Sequence, residues 1–60
     1  MKQRFFKPKD GRNAISVSSI DEIREYMGEI MEYDFGTIEV IDNLVVTYIN
    51  GTPITLGTLI

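Results

Sequence analysis

Cysteine and histidine are both absent from this sequence. Without cysteine, neither a disulfide framework nor a thiolate metal site can hold a small fold together, which argues against the usual secreted scaffold and fits a reducing, cytoplasmic setting. Without histidine, the commonest general base and the commonest metal ligand are missing, and the thiolate nucleophile is gone with cysteine. Carboxylates, hydroxyls and lysine remain. A carboxylate pair running hydrolysis needs a pocket with two opposed environments, which 60 residues rarely enclose. The chain is therefore read as a non-enzyme that needs no cofactor.

Long apolar runs are also missing. The opening Met1-Lys2-Gln3-Arg4-Phe5-Phe6-Lys7-Pro8 has no apolar stretch of signal-peptide length, and no run approaches a membrane span, so neither export nor insertion is expected. Glycines 11, 28, 36, 51 and 57 stand isolated and match neither a phosphate-cradling loop nor a dinucleotide fingerprint. Glu32, Asp34 and Asp42 lack the alternate-ligand spacing of a calcium loop, so no metal site is expected. No repeat, low-complexity segment or linker divides the chain, and residues 1–60 read as one small domain.

Apolar residues make up 43% of the sequence, enough for a thin core whose net stability is only a few kcal/mol. That margin leaves room for a stabilising partner or a second copy. The net charge of −3 hides a split: residues 1–12 carry five basic side chains against Asp10, while the remainder sets Arg24 against eight acids. A basic arm can approach phosphate, and an acidic body can approach a basic protein surface.

Local signals place the elements. Arg4-Phe5-Phe6-Lys7, Asp10-Gly11 and Ala14-Ile15-Ser16-Val17 suggest a hairpin, with Pro8 making the first strand an edge or ending it near Lys7. Ser19-Ile20-Asp21-Glu22 matches a capping box, so a helix should start there. Ile20, Ile23, Met27, Ile30 and Met31 then recur on one face, with Tyr26 at its margin, and the helix should end near Tyr33. Gly28 either admits another backbone or is a weak spot costing about 1 kcal/mol.

From Thr37 the period becomes two. Ile38, Val40, Leu44, Val46 and Tyr48 line up if Asp42-Asn43 lies in a three-residue loop; a two-residue Asp-Asn turn would shift every cross-strand pair by one. Asn50-Gly51 is a strong hairpin signal between Thr47–Ile49 and Thr52–Leu56, and Pro53 suggests that the last strand is an edge. The fold class is α+β: an antiparallel sheet, formed by an N-terminal hairpin and a C-terminal three-stranded meander, covered on one face by a single amphipathic helix. Its expected core is Ile20, Ile23, Met27, Ile30, Ile38, Val40, Leu44, Val46 and Tyr48. The other face, with Val45, Thr47, Ile49, Thr55 and Ile41, is more apolar than a solvated face should be, which implies self-association, a partner or a curled sheet.

Two surfaces are candidate sites. Glu22, Glu25, Glu29 and Glu32 form a helical acidic stripe with no lysine four residues on, either a solvated face or a surface that docks on a basic groove of a partner. Asp21, Glu22 and Glu25 suit the helix N-terminus, whereas Glu29 and Glu32 oppose the dipole. Lys2, Arg4, Phe5, Lys7, Lys9 and Arg12 combine cations with an aromatic ring as a nucleic-acid contact would, or simply protect a charged edge strand. The apolar end, Gly57-Thr58-Leu59-Ile60, is expected to tuck against the core or to serve as a peptide for capture.

No motif fixes a family. In outline, a one-helix sheet protein with an acidic helix and no catalytic inventory resembles the small inhibitors and adaptors that bacteriophages and mobile elements encode, which implies a protein that blocks or redirects a host factor. The leading expectation is a protein-binding module with a basic-surfaced protein as partner; a homo-dimer is a further option, and a small nucleic-acid-binding regulator is the alternative.

Overall fold

In the computed structural model, which describes all 60 residues, the chain runs β1 (Arg4–Pro8), β2 (Ile15–Val17), α1 (Ile20–Met31), β3 (Ile38–Ile41), β4 (Leu44–Ile49) and β5 (Thr52–Leu59). The strands form one antiparallel sheet in the order β2-β1-β5-β4-β3. Hairpin and meander are thus both present, joined where β1 lies beside β5.

The helix starts where its capping residues dictate. Ser19 is extended, and its hydroxyl accepts from the Glu22 N–H at 3.3 Å. Ile23 and Met27 are buried among strand residues, with Ile20, Tyr26 and Ile30 partly buried beside them, but Met31 is exposed. The helix stops at Met31, short of Tyr33, because Glu32 turns left-handed (φ 52°) and the N–H groups of Glu32 and Tyr33 both return to the Gly28 carbonyl. Gly28 serves that reversal: a Cβ there would lie only 3.0 Å from the Tyr33 carbonyl oxygen.

The turn between β3 and β4 overturns the expected pairing. Asp42 and Asn43 both have positive φ (48° and 68°) and form a two-residue turn, with Ile41 opposite Leu44 and Ile38 opposite Thr47. This slips the register by one residue and inverts β4. Val45, Thr47 and Ile49 therefore face α1, whereas Leu44, Val46 and Tyr48 face away from it. Leu44 and Tyr48 are exposed, and Val46 is buried on the outer face rather than in the core beneath the helix. Val40 shares a face with Ile38 but lies out on edge strand β3, where it too is exposed. Phe6, Val17, Phe35, Val45, Leu56 and Leu59 complete the core around Ile23, Met27 and Ile38.

Neither proline-bearing strand is an edge. β1 lies between β2 and β5, runs through Pro8, and pairs Pro8 with Gly57, while β5 is the central strand. Pro53 is tolerated because β1 reaches β5 only along Gly57–Leu59, leaving the first half of β5 open on that side. In the two-residue Asn50-Gly51 hairpin, Ile49 and Thr52 flank the turn as the hydrogen-bonded pair, so at the next pair, Tyr48 with Pro53, the missing N–H points to the open side. Asp10-Gly11, by contrast, makes no tight hairpin turn but belongs to a loop of residues 9–14.

A β-bulge completes the architecture. Val45 pairs with Gly57 and Val46 with Thr55, which leaves Leu56 as the extra residue on β5. Leu56 and Leu59, three apart, consequently both reach the core; Leu59 is tucked in as expected, whereas Ile60 is exposed.

Candidate functional site

The acidic stripe divides by what each carboxylate touches. Glu22 reaches back past its own cap and accepts from the Ser18 hydroxyl at 2.7 Å and the Ser18 N–H at 2.9 Å. These two bonds, the hydroxyl first, hold its pKa below the ordinary carboxylate value. Asp21 pairs with Arg24, whose Nε donates to the Gly36 carbonyl at 3.1 Å and ties α1 to the loop before β3. Glu25 and Glu29 are exposed on the helix, and Glu32, also exposed, sits in the left-handed cap rather than on the helix itself. None of these three has an ion-pair partner.

The basic side chains do not gather into one surface. Arg4 lies on the helix side of β1 and donates to the Asn43 side-chain oxygen at 3.0 Å. Phe5 and Lys7 lie on the opposite face of the same strand, and the Lys7 ammonium donates to the Arg12 and Gly11 carbonyls at 2.6 and 3.4 Å. Arg12 pairs with Asp10 at 2.8 Å. The Arg12 N–H, followed by its guanidinium, lowers the Asp10 pKa. Lys2 and Lys9 are exposed. Arg4, Lys7 and Arg12 are thus engaged in holding the β1–β2 loop and the β3–β4 turn, which is three of the five basic side chains.

Two further features lie outside the two charged surfaces. An open groove of about 400 Å³ lies between α1 and the open half of β5, lined by Met27, Met31, Ile54, Thr55 and Leu56 together with Lys9 and Asp10. The outer sheet face carries Phe5, Ile41, Leu44 and Tyr48, all exposed. An uncovered apolar face was legible in the alternating sequence, but its members depended on the Asp42-Asn43 turn. Glu32, Asp34 and Asp42 do not converge, and no group of three or more acids is placed to hold a metal ion. No helix is long and apolar enough to cross a membrane.

No family model matches this chain, and comparisons with curated proteins and with solved structures find no match either.

Proposed function

We propose that the chain is a non-catalytic protein-binding module, an inhibitor or adaptor of a host factor, which presents the acidic face of α1 to a basic surface on its partner. A reducing, cytoplasmic compartment suits this cysteine-free fold. The observation that carries the reading is the contrast along α1 and its C-terminal cap. Asp21 and Glu22 are absorbed by Arg24 and the Ser18 cap, while Glu25, Glu29 and Glu32 stand exposed without a counter-ion. Like charges three and four residues apart repel by a few tenths of a kcal/mol per pair, and the last two also lie at the negative end of the helix dipole. Folding gains nothing from them, whereas association with a cationic surface does.

The test uses immobilised wild type and the Glu25→Lys/Glu29→Lys variant in a cell lysate, with and without nuclease, followed by association rates with the retained protein at two salt concentrations. Nuclease-resistant retention is expected, with several-fold slower association and a weaker salt dependence for the variant. If the charge-reversed helix binds as wild type while replacement of Lys2, Arg4, Lys7 and Lys9 by Gln abolishes retention, the helix reading fails. Retention that is also lost with nuclease would then favour nucleic-acid binding.

A further inference from the structure

The outer sheet face supports an inference independent of the helix. Phe5 is 55% exposed, Ile41 47%, Leu44 44%, Tyr48 40% and Ile60 70%, around a buried Val46. The register places them in adjoining rows. Phe5 lies beside Ile60, whose N–H donates to the Phe5 carbonyl at 2.8 Å; Lys7, Thr58, Leu44 and Ile41 form the next row, and Thr55, Val46 and Glu39 the one after. Among the strand residues of this face only Lys7 and Glu39 are charged, and they lie on opposite flanks of the apolar strip, on β1 and β3.

We infer that a second copy of this chain covers this face, forming a two-fold dimer in which the two sheets stack and both helices remain outside. Area and charge both select this occupant. An aromatic side chain offers about 150–250 Å² and an aliphatic one somewhat less, so these exposures amount to roughly 400–500 Å² of apolar surface. A standard interface buries about 800 Å² per partner, and homodimer interfaces are about 65% apolar, which this patch with its polar rim matches. A two-fold axis parallel to the strands, between β4 and β5, lays β1 of one copy over β3 of the other. Lys7 then approaches the partner's Glu39, and symmetry forms the same pair twice. The two residues lie one row apart along the strands, within the reach of a lysine stem. Two of the three ammonium donors of Lys7 are used within the chain, which leaves one for the partner. Stacked sheets keep their strands within about 30° of each other, so the rows stay nearly aligned. This dimer leaves both acidic helix faces free, whether or not the helix reading above holds.

Sedimentation across micromolar concentrations tests it, with the fold followed by circular dichroism. Wild type is expected to pass from monomer to dimer and no further, while Leu44→Glu, altered at a side chain exposed in the single chain, is folded and monomeric throughout. Glu39→Lys should weaken the dimer roughly three- to tenfold, because a rim pair is lost twice, and Lys7→Glu added to it should restore affinity. A folded wild type that stays monomeric at every concentration would overturn the inference. So would a dimer that survives Leu44→Glu, species larger than a dimer, or a double variant no tighter than Glu39→Lys.

Discussion

The ring of Phe6 occupies the space that a side chain on Gly57 would need. A Cβ at Gly57 would lie 2.7 and 2.9 Å from two ring carbons of Phe6, and closer still to the Lys7 carbonyl oxygen. Phe6 is fully buried, so the close approach of β1 to β5 is built around a missing side chain. Gly57→Ala is expected to destabilise the fold by about 3 kcal/mol through overpacking, read from the urea midpoint. Adding Phe6→Leu should not rescue it, because the backbone carbonyl is the nearer obstacle. Recovery in the double variant would mean that the ring alone excludes the side chain.

The inverted β4 makes a second expectation sharp. Ile23 is fully buried beneath the sheet, and Ile23→Ala should cost about 2–4 kcal/mol. Leu44 faces outward and is exposed, so Leu44→Ala should cost less than about 1 kcal/mol in dilute solution, where the single chain is measured. Equal losses at the two sites would restore the pairing in which Leu44 belongs to the core.

These two residues also show where the sequence is readable and where it is not. The helix start followed from Ser19, and the Asn50-Gly51 turn from its own chemistry, because each signal acts through neighbouring backbone. The face of β4 did not follow. Leu44, Val46 and Tyr48 form one apolar row and Val45, Thr47 and Ile49 another, so alternation fits either register, and only the Asp42-Asn43 turn selects between them. The prolines misled for a related reason: an open side is a property of part of a strand, as at Pro53, and sequence does not show how far β1 extends along β5. At the candidate site, the spacing of the glutamates was legible. That Ser18 occupies Glu22 and that the chain reverses at Glu32 are matters of cap geometry.

Thr47 is the polar side chain fully buried in this core, and its hydroxyl donates to the Thr37 carbonyl at 2.8 Å, holding the entry to β3 against β4. Thr47→Val keeps the shape but leaves that carbonyl without this donor, so a loss of about 1–2 kcal/mol is expected from denaturant unfolding. Thr47→Ser keeps the donor and removes a methyl group, at a cost of about 1 kcal/mol. Hydrogen exchange separates the two: protection at the start of β3 should fall in the valine variant and persist in the serine variant.

Acid should act on the helix cap. The folded pKa of Glu22 lies below its ordinary value of 4.5, first because of the Ser18 hydroxyl and then its N–H. A depressed carboxylate contributes stability that is present above the unfolded value and is lost as pH falls through the folded one. Wild type should therefore lose stability from about pH 4.5 downward. Glu22→Gln should be less stable near neutrality and show a shallower acid loss, measured by urea unfolding along a pH series. Asp10, lowered in the same direction by the Arg12 N–H, supplies a slope that remains in both proteins. Parallel curves for wild type and variant would remove Glu22 from the cap.

Glu32 combines two unfavourable features, and they can be separated. Its left-handed backbone (φ 52°) costs a residue with a Cβ about 1 kcal/mol relative to glycine, and its carboxylate lies at the negative end of α1 beside the uncompensated Glu29. Glu32→Ala removes the charge and keeps the strain. Glu32→Gly removes both, and Glu32→Asn removes the charge while easing the strain through an amide that tolerates this conformation. Thermal stability should therefore rank Gly above Asn, and Asn above Ala, with wild type lowest at low salt. Added salt should close the gap between wild type and alanine, because dipole and charge repulsion are screened. The gap between alanine and glycine should persist, because a steric conflict is not screened. If glycine is no more stable than alanine at any salt concentration, the left-handed cap is unstrained and the cost of Glu32 is electrostatic alone.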